Sequence, residues 1–159
     1  MSAPTSDEFR RALAHLPTGV TVVTAPAPEG PLGATANAVT SLSLDPPLML
    51  ACLDLGSRTL GAVREAGRFG ISVLGSDQEP VARAFATKAP HSEKWADVPW
   101  EERSGVPVLD EVPLWIACDL RKEHDGGDHV ILVGGVQGLG TGEGEPLVFH
   151  GTDYRALGG

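Results

Sequence analysis

Gly33-Ala-Thr-Ala-Asn-Ala-Val-Thr-Ser-Leu-Ser-Leu-Asp-Pro-Pro-Leu48 is the stretch from which the fold and chemistry of this chain are read. Small residues, hydroxyls and one amide follow one another in a near-extended run that Pro46 and Pro47 end. Bulky side chains are missing where a strand normally fills its surroundings, while short hydrogen-bonding groups recur. That composition suits a wall that lets a flat polar ligand approach the backbone. Thr35, Asn37, Thr40, Ser41 and Ser43 supply its donors and acceptors. The same residues also read as a Thr/Ser-rich edge strand feeding a turn.

At 159 residues the chain has the length of one ordinary domain, enough for a core of its own. Its hydrophobic share of 42% is that of a globular protein. No apolar run approaches the roughly 18 to 20 residues that a membrane span needs. Met1 to Asp7 lacks the basic and apolar regions of a signal peptide, so the expected location is the cytoplasm. A net charge of −9 opposes a nucleic-acid partner, whose phosphates need many Lys and Arg. A small anionic ligand must therefore be met by a few local cations or by backbone amides. Cys52 and Cys118 sit in apolar runs with no Cys-x-x-Cys pair, which reads as buried reduced thiols, and the five histidines show no metal-ligand spacing.

Outward from the opening stretch, β-branched runs alternate with turn signals. Asp7 is a candidate cap for a short amphipathic helix carrying Phe9, Leu13 and Leu16. Val20 to Thr24 and the opening stretch flank a turn-rich Pro26 to Pro31, which predicts a hairpin. Leu48 to Leu53 is a strand, Ser57 caps a helix over Arg58 to Ala66, and Gly67 ends it. Phe69 to Leu74 is a strand, and Asp77 caps a helix carrying Val81, Ala82, Phe85 and Ala86. Pro90, Pro99 and mixed charges predict an irregular loop to about Ser104. Pro113 to Leu120 and His129 to Gln137 read as strands around the turn Asp125-Gly-Gly-Asp128, with Gly134-Gly135 suited to a bulge or a close backbone approach. Pro146 to Phe149 closes the sheet and Tyr154-Arg155 lies in a short tail. Strands outnumber helices without a βαβ rhythm. The expectation is a mainly β, antiparallel barrel with a few peripheral helices.

Three groups are candidates for chemistry. Ser57-Arg58-Thr59 sits at a predicted helix start, where unpaired amides and the helix dipole favour an anion and two hydroxyls and a guanidinium are added. Capping by Ser57 beside a solvated Arg58 is the plainer reading. Gly127-Asp128-His129 ends a turn and starts a strand, so the imidazole lies at a sheet mouth or hydrogen-bonds the turn. Tyr154, Arg155, Trp95 and Trp100 read as pocket walls or as packing.

Taken in order, these blocks resemble the flavin reductase family with the FMN-binding split-barrel fold, in particular the small reductase components of two-component flavin-dependent monooxygenases. The resemblance is carried by Phe9 to Thr24, Thr35-Ala-Asn37, Ser41-Leu-Ser-Leu-Asp-Pro-Pro47, Ser57-Arg-Thr59, Phe69 to Leu74, Gly127-Asp-His129, Pro146 to His150 and Tyr154-Arg155. It implies a Greek-key split barrel, a homodimer with flavin near the interface, and hydride transfer from a nicotinamide nucleotide to FMN or FAD; NADH is expected ahead of NADPH because no second arginine cluster offers itself to a 2′-phosphate. It implies a partner monooxygenase that receives the reduced flavin, with no nucleic acid or membrane partner. Thr35, Ala36, Asn37, Ala38, Ser41, Leu42 and Ser43 would contact the flavin ring, and Cys52, Leu53 and Asp54 would line ring and ribityl chain. Ser57, Arg58 and Thr59 would hold the phosphate. Phe85, Tyr154 and Arg155 would complete the flavin site, with His129 as the catalytic-site residue beside the nicotinamide, orienting it rather than donating a proton. Two departures imply a looser hold on flavin: Ala38-Val39 stands where the family often has Ser-Phe, and Leu55-Gly56 where polar residues are usual. A non-catalytic flavin-binding or electron-transfer module, or a related flavin-dependent oxidase, is the alternative on the same fold.

Overall fold

The computed structural model describes residues 1–158. In chain order its elements are α1 (Ser6–Leu13), β1 (Thr18–Gly19), β2 (Thr21–Ala25), β3 (Leu32–Ala36), β4 (Val39–Leu44) and β5 (Pro47–Asp54), then α2 (Arg58–Ala66), β6 (Arg68–Val73), α3 (Glu79–Phe85) and α4 (His91–Trp95). The remainder is β7 (Trp100–Arg103), β8 (Val106–Leu109), β9 (Leu114–Gly126), β10 (His129–Thr141), β11 (Leu147–His150) and β12 (Asp153–Ala156). Every strand pairing is antiparallel.

Seven strands form the main sheet in the order β3-β2-β6-β9-β10-β5-β4. Its two outermost strands are consecutive in sequence, and only Asn37 and Ala38 join them. Three Cα steps reach at most about 11 Å, so the sheet must curl until its edges meet there. The Cys52 N–H donates to the Ala38 carbonyl at 2.9 Å across this junction. The stretch from Gly33 to Leu48 is therefore two edge strands with a sharp crossing between them, not one extended run. Inside the curl, Val23, Leu53, Phe69, Ile71, Ile116 and Leu132 are buried with Leu60 and Val63 of α2. A second core joins Val20, Val22, Leu74, Phe85, Trp95, Val106 and Leu147.

Local chemistry explains where the elements depart from expectation. The cap of α1 is Thr5, not Asp7: the Thr5 hydroxyl accepts from the Glu8 N–H at 3.2 Å and the Glu8 carboxylate accepts from the Thr5 N–H at 2.7 Å. That reciprocal box satisfies two free donors where an Asp7 cap satisfies one. Likewise Gln78, not Asp77, precedes α3, and its side chain accepts from Gly75 N–H instead of capping. The segment expected to be loop contains α4 and β7, because Trp95 is drawn into the second core against Phe85 and Trp100. The Tyr154-Arg155 tail is strand β12, paired with β11.

The β9–β10 hairpin is longer than predicted at both ends. Arg121 to Asp125 is polar and exposed on both faces, so no apolar alternation marks it as strand. Its turn is Gly127-Asp128, with Gly127 at φ 72°, a left-handed conformation that favours glycine. The Gly134-Gly135 pair takes the close approach foreseen for it and faces a bulge on the partner strand, where Arg121 of β9 is the extra residue. The register slips between Val133 and Gly134, and a Cβ on Gly134 would lie 2.6 Å from Phe69 Cζ.

Candidate functional site

Where the curled edges meet, a cavity of about 440 Å³ opens between the end of β3, the end of β5, the start of β10 and β12. Thr35, Ala36, Asn37 and Ala38 form one wall, and Cys52, Leu53 and Asp54 another. His129 stands opposite Asp54 in the β10–β5 register, and Tyr154 closes the far side, packed on Phe149 with ring centroids 5.2 Å apart. The imidazole Nδ1 lies 2.7 Å from the Asp128 carboxylate, a contact that holds that carboxyl below its ordinary range. Burial pushes the Cys52 thiol up, which keeps it a protonated, unreactive wall residue at neutral pH.

A second cavity of about 580 Å³ continues from the first, sharing Thr35, Asp54 and Ser57 as walls. It lies over the start of α2, where Ser57, Arg58 and Thr59 line it as the sequence predicts. Ser57 occupies the cap position, yet its side chain makes no capping hydrogen bond, so the first helical amides keep no partner from that hydroxyl. The Thr59 hydroxyl is buried with no hydrogen-bond partner, and Lys94 is only 8% exposed with no ion pair among the described residues. Burial, with Arg58 close by, lowers the Lys94 ammonium from its ordinary range. His91 is pushed down to about 4 by burial, then by Lys94 and Arg58, so it is neutral at pH 7. Its Nδ1 accepts from the Gly33 N–H at 3.3 Å.

An orphaned hydroxyl, an uncapped helix start and cations without an ion pair among the described residues give a site whose chemistry suits an anion. The anion's residues and the ring-sized wall of small residues are contiguous, which fits a flat aromatic group carrying a phosphate tail. Among the described residues no cluster of His, Cys, Asp and Glu is arranged to hold a metal ion, and no helix is long and apolar enough to cross a membrane.

Most of the predicted site residues converge on these two cavities. Ser41, Leu42, Ser43 and Arg155 do not: the first three lie on edge strand β4 and Arg155 on exposed β12, outside both walls. Phe85 is chiefly a core residue, edge-on to Trp95 at 4.9 Å, with one side facing the second cavity. Thr35 spends its hydroxyl on the Ala82 carbonyl of α3 at 2.7 Å, which fixes the wall. Lys88, His91 and Lys94 line the second cavity with no signal in the sequence to mark them, His91 and Lys94 from the segment expected to be loop. A lysine among mixed charges reads as solvated, and only the packing of α4 buries it.

A family model described as "Flavin reductase like domain" matches residues 13–158. This chain belongs to that family. Among relatives, it is 41% identical over 152 residues to the NADH-dependent flavin reductase of Rhodococcus sp, covering 94% of this chain and 85% of the relative. It is 41% identical over 143 residues to the reductase component of a 4-nitrophenol 4-monooxygenase/4-nitrocatechol 2-monooxygenase from Rhodococcus opacus, covering 90% and 76%. Among solved structures, BorF, the flavin reductase component of a bacterial two-component tryptophan halogenase, superposes with a TM-score of 0.89 at 36% identity, covering 96% of this chain and 98% of that one. The family's match spans every element that builds the two cavities.

Proposed function

We propose that this protein is an NADH-dependent flavin reductase that transfers a hydride to FMN or FAD and supplies reduced flavin to a partner flavin-dependent monooxygenase. The single observation that carries the reading is the contiguity of a cavity walled by small residues with an unpartnered anion site, in a chain of the flavin reductase-like family. The Rhodococcus relatives, named as an NADH-dependent flavin reductase and as a monooxygenase reductase component, support donor and partner. The 159 residues are read as one such domain, with the curled sheet as its split barrel and the cytoplasm as its location. The homodimer expected from the family is supported by the unburied apolar faces of α1, with Phe9 57% and Leu13 45% exposed, and of edge strand β4, with Leu44 at 92%.

When bound, flavin supplies the hydride acceptor. The chain supplies position and charge. Hydride transfer needs donor and acceptor rings stacked with reacting atoms about 3 to 3.5 Å apart, so the main catalytic device is placement. Thr35 to Ala38 would let a ring approach the backbone closely, and their main-chain and side-chain polar groups would face its polar edge. Ser57, Arg58, Thr59 and Lys94 would hold the phosphate and so set where the ring lies. His129, tied by Asp128 and 44% exposed on its side chain, stands at the open mouth, where it orients the nicotinamide. The test is the loss of NADH absorbance with free FMN, FAD and riboflavin in turn. Saturable NADH oxidation with added flavin is expected, whereas a strongly yellow protein without NADH turnover would establish a binding module instead.

A further inference from the structure

The first cavity is walled from two separate sheets. Thr35, Ala36, Cys52 and Leu53 stand on the seven-stranded sheet, whereas Phe149 and Tyr154 stand on the three-stranded sheet β1-β11-β12. Tyr154 lies on the outer strand of that smaller sheet, where it is the one residue of β12 that is not exposed. Pairing with β11 fixes its backbone but not its ring, whose place is set by side-chain contacts.

Two contacts set it. Phe149 packs on the ring with centroids 5.2 Å apart, and the Arg83 guanidinium carbon lies 5.0 Å from the ring centroid. Arg83 is itself held within α3, where its Nε and Nη2 donate to Glu79 Oε1 at 3.0 and 2.7 Å, with the glutamate one turn N-terminal as such a helical pair prefers. The neighbouring residue reaches the other wall, since the Ala82 carbonyl accepts from the Thr35 hydroxyl at 2.7 Å. One turn of α3 therefore grips both walls of the cavity, Thr35 through Ala82 and Tyr154 through Arg83. Arg83 itself lines neither this cavity nor the anion cavity.

We propose that Arg83 is a positioning residue for flavin: by stacking on Tyr154 it fixes the aromatic wall against which the flavin ring is placed. The proposal rests on the flavin reading of the first cavity. The ring quadrupole attracts the guanidinium, and a contact of this kind at a partly exposed site is worth about two- to fivefold in an equilibrium. Because it acts through the ring wall, its effect falls on every flavin equally, unlike that of Arg58 or Lys94 at the anion site.

Arg83→Met keeps the length and helix preference of the side chain and removes the cation, and Arg83→Lys puts a cation back. Tyr154 is the only tyrosine of the chain, so a carbon-13 label on the tyrosine ring gives a single reporter. With no flavin present, its NMR signals should move in Arg83→Met and lie near the parent's in Arg83→Lys. Signals unmoved by Arg83→Met overturn the proposal. Fluorescence titration then gives dissociation constants for riboflavin and FMN. Arg83→Met should weaken both alike, by about two- to fivefold, and Arg83→Lys should recover most of the loss. In a Tyr154→Leu background Arg83→Met should cost nothing further, because the partner through which it acts is gone. A loss for FMN alone overturns the proposal by making Arg83 a phosphate contact. A loss that persists undiminished beside Tyr154→Leu overturns it by showing that Arg83 acts without the ring. A parent protein that binds neither flavin defeats the flavin reading and the proposal with it, and tyrosine signals that still respond to Arg83→Met tell that result from a failure of the stack.

Discussion

Replacing Lys94 by methionine separates what this residue does for folding from what it does for binding. The ammonium is buried without an ion pair, and burial together with the Arg58 charge lowers its pKa. A lysine with a depressed folded pKa binds protons less readily when folded than when unfolded. Its charge therefore costs stability at neutral pH. Methionine keeps the length and the apolar stem and removes only the charge, so the unliganded Lys94→Met protein should be as stable as the parent or more so. Binding should move the other way. Loss of one charge-assisted hydrogen bond to phosphate removes about 1.5 to 3 kcal/mol, or roughly 10- to 150-fold in the affinity for FMN. Riboflavin, with no phosphate, should be unaffected. Urea denaturation of the unliganded protein gives the first quantity and fluorescence titration with the two flavins gives the second. Equal losses for FMN and riboflavin, or an unliganded protein that melts earlier, would refute the assignment of Lys94 to the anion.

Arg58→Ala should weaken FMN by a similar factor and leave riboflavin alone; because the guanidinium also donates to the Ala89 carbonyl at 3.0 Å, circular dichroism of the variant must match the parent. For His129→Ala, the Michaelis constant for NADH should rise and turnover fall by less than about a hundredfold, since an orienting group is lost and not a proton donor. A loss of many powers of ten in stopped-flow hydride transfer would make it a proton donor after all. His91 predicts acid lability. Its pKa falls from an ordinary 6.5 to about 4 on folding, so between those values the unfolded chain binds a proton that the native chain does not. Stability should therefore fall as pH drops through that window and level off below it, by on the order of 1 to 2 kcal/mol after discounting for solvent screening. Urea midpoints of the parent and His91→Gln, compared from pH 7 to pH 4, check this; parallel curves would exclude His91 as the source.

Much of the molecule is legible from local chemistry. The helix over Arg58 to Ala66 and its stop at Gly67 are found where predicted, because a left-handed glycine ends a helix whatever surrounds it. So are the turn before His129 and the close approach at Gly134. Apolar runs of strand length mark β5, β6 and the buried half of β9. Signals that depend on one another across space are not legible. The Thr5-x-x-Glu8 capping box is itself a local pattern that outranks Asp7, whereas nothing local marks Lys94 as buried.

The sequence by itself determined the class of this protein: small residues and hydroxyls in order from Thr35 to Ser43, Ser57-Arg58-Thr59 at a helix start and Gly127-Asp128-His129 at a strand start are short-range patterns, each tied to backbone geometry. Tertiary structure alone decided how they combine. The Gly33 to Leu48 stretch supplies both edges of one curled sheet, and its crossing at Asn37-Ala38 brings the first wall against Cys52 and His129. Its hydroxyls at Ser41 and Ser43 are carried away from the cavity by the same crossing. The cations Lys88 and Lys94 come to the anion site, from some thirty residues further along, because the packing of Phe85 and Trp95 draws that segment over α2. Burial and long-range contact depend on the whole chain at once, and no window of sequence contains them.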